Sequence, residues 1–115
     1  MRILIVLLCC QALLACAVFD TSTRRSTLND TMQSWINSTE TELISDWGVP
    51  DKSYTLNNGD KIVSYLSFVH PGRYCEQKFL IQRGILTKWG HSNCDLYFSN
   101  SKDISKTIPI PKPTL

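Results

Sequence analysis

The side chains able to do chemistry in this sequence are few: five cysteines, two histidines and ten carboxylates spread over 115 residues. A metal set would draw on Cys75, Cys94, His91 three residues before Cys94, and His70. Zinc sites are built from close-spaced ligand pairs, and no second pair accompanies these thiols. His70 lies in a Pro-Gly turn and His91 in a Gly-Ser-Asn bend, positions where histidine is commonly a surface residue. The chain has no Gly-x-Ser-x-Gly elbow, His-Glu-x-x-His pair or glycine-rich phosphate loop. Asp46, Asp51 and Asp60 fall near element ends, where capping and turn formation account for them. The expectation is a protein that is not an enzyme and holds no metal and no cofactor.

Residues 1–15 place the rest. Arg2 supplies a single positive charge, a run of branched apolar residues follows, and small Ala15 and Cys16 precede a rise in polarity. These are the three zones of an export signal. The rival is a membrane-spanning helix, which needs about 20 apolar residues; Gln11 interrupts the run. Export is therefore the reading adopted.

The four residues Leu13-Leu14-Ala15-Cys16 resemble the lipobox of bacterial lipoproteins. That resemblance implies a diacylglyceryl group on Cys16, cleavage just before it and acylation, commonly palmitate, of the new amino terminus. A mature chain of 100 residues, 115 less the 15 of the leader, would be tied to a membrane through lipid on Cys16. Several acyl chains anchor stably where one would be marginal. In enterobacterial lipoproteins Asp after the lipidated cysteine favours inner-membrane retention; here Ala17 stands there, implying the outer membrane, facing the periplasm. The alternative is an ordinary secretory leader. Asn29-Asp30-Thr31 and Asn37-Ser38-Thr39 would then be glycan acceptor triplets.

On this reading the cysteines leave no remainder: Cys9 and Cys10 depart with the leader, Cys16 carries lipid, and Cys75 and Cys94 remain as one disulfide. Net charge is +2, or +1 without Arg2, so no strong field favours nucleic acid. The mature length allows one domain.

Residues 16–27 read as a lipid-anchored tether, 28–98 as the domain and 99–115, with Pro109, Pro111 and Pro113, as a Pro-rich flexible tail. A docked strap is the alternative for that tail. Leu28, Met32, Trp35 and Ile36 recur at helical spacing, with Ser26 or Thr27 as cap. Thr39 and Glu42 form a capping-box pattern for a second helix that stops at Gly48 and Pro50. Strands follow at Ser53 to Leu56, Lys61 to Phe68, Tyr74 to Gln82 and Ile85 to Trp89, with turns at Asn57 to Asp60, His70 to Arg73 and Arg83-Gly84. The expected fold is α+β: two short N-terminal helices packed on a three- or four-stranded antiparallel sheet, with one disulfide.

Tyr54, Tyr65, Tyr74 and Tyr97 are candidates to line an exposed sheet face, since aromatic residues carry much of the energy of protein interfaces. Tyr54, Tyr65 and Trp89 are the residues expected to meet a partner. The order of two helices and then strands, with Leu43 followed by Trp47-Gly48-Val49-Pro50, resembles the SmpA/OmlA-like outer-membrane lipoproteins. That group includes the E subunit of the barrel-assembly machinery, and the expected Cys75–Cys94 bridge departs from its pattern. The resemblance implies a protein-binding module in envelope assembly or integrity, with an envelope protein as partner. The alternatives are a secreted or surface-held inhibitor or ligand-binding module, and a subunit of a secretion apparatus.

Overall fold

The computed structural model describes residues 22–98 and 101–115. The leader, Cys16 and the start of the tether lie outside the described residues. Strand β1 (Thr23–Arg25) comes first, then helices α1 (Leu28–Ser34) and α2 (Glu40–Trp47). Strands β2 (Lys52–Thr55), β3 (Lys61–His70), β4 (Arg73–Gln82), β5 (Ile85–Ser92) and β6 (Asp103–Ser105) follow. The middle four form one antiparallel sheet in chain order, while β1 and β6 pair as a separate two-stranded ribbon. The α+β class and the four-stranded sheet agree with expectation. The ribbon is additional, and among the described residues it puts a strand ahead of the helices.

Both helices start on threonine caps, though the reciprocal cap sits on a different helix from the one expected. Thr27 and Asp30 form the full capping box of α1: the Asp30 carboxylate accepts from the Thr27 amide at 2.7 Å. At α2, Thr39 accepts from the Glu42 amide at 3.1 Å, and the Glu40 amide donates to the Gly84 carbonyl instead. The turn between β4 and β5 thus satisfies an amide left free at the helix start. Arg83 and Gly84 join β4 to β5 with φ of 52° and 76°. A two-residue hairpin turn of this hand needs positive φ at both positions, which suits Gly84 and strains Arg83.

The core gathers Leu28 and Met32 of α1 and Leu43 of α2 with Val63, Tyr65, Phe79, Ile81, Leu86 and Trp89 of the sheet. Trp47 sits edge-on to both Tyr65 and Phe79, with ring centroids 5.3 and 5.4 Å apart. Burying each such side chain stabilises the fold by about 1.5–3 kcal/mol. A bulge at the Leu80/Ile81 step lets Leu86 and Trp89, three residues apart, both serve this face. Cys75 of β4 bonds to Cys94, their Cα atoms 4.5 Å apart, and Cys94 packs against the core. A loop of this size is worth about 3 kcal/mol in the chain-entropy model.

The two termini of the described chain are fastened down. Within the segment expected to be a tether, β1 pairs with β6, Thr23 opposite Ser105 and Arg25 opposite Asp103. The tail, expected to be loose, makes a series of contacts. Arg24 Nε donates to the Ile108 carbonyl at 2.8 Å, Asn29 Nδ2 to that of Pro111 at 2.9 Å, and the amides of Thr114 and Leu115 to Trp89 at 2.9 Å.

Candidate functional site

Of the three residues expected to meet a partner, the structure leaves one in reach. Tyr65 is buried beside Trp47, and its hydroxyl donates to the Gly48 carbonyl at 2.9 Å. Trp89 is fully buried, with Nε1 donating to Gln33 Oε1 at 2.7 Å. Both are corrected to core residues, because they share the sheet face that the helices cover. Tyr54, on edge strand β2, is 65% exposed.

On the face opposite the core, toward the other end of β3 from Ile62, which pairs with Tyr54, a different set assembles. Phe68 of β3 pairs directly with Tyr74 of β4, their rings edge-on at 5.9 Å and 65% and 55% exposed. Leu66 lies two pairs further in on the same face, opposite Glu76. Glu76 is 3.9 Å from Lys52 of β2 in a partly exposed ion pair, so a charged row adjoins the aromatic end. Phe68 is not among the residues that the sequence reading singles out. Strand alternation places it with Leu66 and against Tyr65, and that phase is the available signal. Chemically, this surface offers apolar area and edge-on aromatic rings, the means of protein recognition.

The titratable groups elsewhere act in the architecture. His91 Nε2 lies 2.6 Å from Asn29 Oδ1. Because the Asn29 amide nitrogen faces Pro111, its oxygen accepts and His91 carries the proton on Nε2. Burial holds the pKa of His91 below 6.5. The Arg24 guanidinium grips both oxygens of Asp30, at 2.9 and 2.8 Å, and holds that carboxyl well below the usual carboxylate range, with Thr27 assisting. His70, the last residue of β3, is exposed. Of the two acceptor triplets, Asn29 is buried and hydrogen-bonded, whereas Asn37 is exposed.

Among the described residues, no group of three or more His, Cys, Asp or Glu is placed to hold a metal ion. A polar hollow between two turns is lined by Asn58, Asp60, Gln82, Arg83 and Thr87. No described helix is long and apolar enough to cross a membrane. No family model matches the chain, and no curated protein and no solved structure matches it either.

Proposed function

We propose that this chain is an outer-membrane lipoprotein, anchored through lipid on Cys16 and facing the periplasm, that acts as a non-catalytic protein-binding module in envelope assembly or integrity. Leu13-Leu14-Ala15-Cys16 supports the anchor. The disulfide between Cys75 and Cys94 suits an oxidising compartment. The observation that carries the binding role is the exposed pair Phe68 and Tyr74, with Leu66 and Tyr54 on the same sheet face. The helices pack on the other face, so the two layers leave this one for a partner. Its occupant is an envelope protein.

Photo-crosslinking amino acids placed at Tyr54 and Tyr74 in intact cells, followed by mass spectrometry, test the role. Capture of one outer-membrane protein, lost in the Phe68→Ala/Tyr74→Ala variant, is the expected result. Unchanged capture in that variant, or none from either position, overturns the binding surface. An intact mass without acyl addition on Cys16 overturns the anchor independently.

A further inference from the structure

The β1–β6 ribbon begins where the chain from Cys16 enters the described structure. Ser22 is six residues beyond Cys16, so the anchor and the ribbon lie within about 20 Å of each other along a fully extended chain. Around Ser22 the fold gathers residues that are far apart in sequence. The Lys106 amide donates to the Ser22 carbonyl at 2.8 Å, and the Ser26 amide to that of Lys102 at 2.7 Å. Arg25, Lys102 and Lys106 are all exposed. Arg24 is neutralised by Asp30, which leaves Asp103 as the one acid of the two strands opposing these three cations. Beside them stand two apolar groups. Tyr97, 49% exposed, lies under the Arg25 guanidinium at 5.0 Å, and Ile108, 50% exposed, follows β6 and accepts from Arg24 Nε through its own carbonyl.

Exposed cations interleaved with a tyrosine and an isoleucine, at the foot of a short lipid tether, match the chemistry of an anionic headgroup layer. A Tyr ring and a branched side chain enter the interface, while Lys and Arg stay among the phosphates. We propose that the ribbon, with Tyr97 and Ile108, is a membrane-resting foot that docks on anionic lipid and sets how the domain stands on its anchor. The inference rests on the proposed lipidation of Cys16 and adds a second, reversible contact to it.

The test uses the purified lipidated chain in vesicles of phosphatidylethanolamine with phosphatidylglycerol, and in vesicles of phosphatidylcholine alone. Amide hydrogen exchange is followed at residues 102–108. Slower exchange in the anionic vesicles only, abolished by 0.5 M salt, where the screening length falls to about 4 Å, is the expected result. Lys102→Gln/Lys106→Gln lowers the docked-to-free ratio by about 30-fold, from about 1 kcal/mol for each charge near the surface. Both side chains are exposed, and circular dichroism shows whether the variant keeps its fold. Equal exchange in both vesicle types with Cys16 acylated overturns the foot and leaves the anchor standing. Absence of acylation removes the anchor and the foot together. Protection that persists in the double variant overturns the charge-based contact.

Discussion

The two edges of the four-stranded sheet are finished in opposite ways. On β5 the unpaired backbone groups are taken at both ends. The inter-helix loop pairs with Leu86 through the Asn37 amide and the Ser38 carbonyl, each at 2.9 Å, and the last residues of the tail hold Trp89. Trp89 donates in turn to Thr114 Oγ1 at 3.1 Å. On β2, all four residues are exposed, and no described segment pairs with the far side of the strand. An uncovered edge invites another strand, and natural proteins restrain it with shortness and lysine. β2 is four residues long and begins with Lys52. The covered edge belongs to the stability of the domain, and the open one lies beside the surface proposed for a partner.

The sharpest way to break this contrast is to truncate an aromatic on each edge strand. Trp89→Ala removes a fully buried side chain and is expected to cost about 3–5 kcal/mol, much of the stability of a domain this small. Tyr54→Ala is expected to fall within about 0.5 kcal/mol of the parent, as exposed sites do. Urea unfolding by tryptophan fluorescence and circular dichroism measures both, and comparable losses would end the distinction between the edges.

A smaller effect comes from making β5 resemble β2. A methyl group at Gly90 meets the Leu115 backbone carbonyl, so Gly90→Ala must push the end of the tail aside. Losing the two amide bonds to Trp89 is expected to cost about 1–3 kcal/mol. Amide exchange at Thr114, Leu115 and Trp89 should accelerate by about tenfold or more, while β2 is unaffected.

The smallest effect concerns the histidine under the tail. The folded pKa of His91 lies below its ordinary 6.5, so the unfolded chain takes up the proton first. Stability is therefore full above pH 6.5, declines as pH falls through the lowered folded value, and levels off beneath it. His91→Gln should flatten that stretch of the urea midpoint's pH profile. An unchanged slope would mean that another group carries it.

How much of the fold is legible in the sequence follows from the range of each signal. Local chemistry can be read: the Asn-Gly, Pro-Gly and Arg-Gly turns, both threonine caps and the glycine stop of α2 are set within a few residues. The disulfide is accessible because cysteine counting does not depend on geometry. Tyr65 goes astray as a surface residue although its phase with Val63 marks it as inward. Trp89 is harder, since strict alternation sets it against Leu86 and only the bulge, with Thr87 as the extra residue, turns both inward. The capping box is expected at Thr39 and Glu42, yet Thr27 and Asp30 carry the same spacing and complete it. The ribbon joins Thr23 to Ser105 across nearly the whole domain, and three-residue strands of ordinary polarity announce no such partnership. The candidate surface is hidden likewise, because Phe68 and Tyr74 become one feature only once β3 and β4 are in register.

The pairing of Thr23 with Ser105 and Arg25 with Asp103 also bears on mechanics. For a chain held at Cys16, a pull on the domain reaches this ribbon before it reaches the hydrophobic interior. Antiparallel strands loaded from a single end separate rung by rung, so β1 would peel from Ser22 toward Ser26 under modest force. Each released residue adds about 3.5 Å of slack, and the Arg24–Asp30 pair, with the Thr27–Asp30 box behind it, is the first firm stop. If the proposed anchor on Cys16 holds, the ribbon would serve as stored length, paid out before the hydrophobic interior takes up the load.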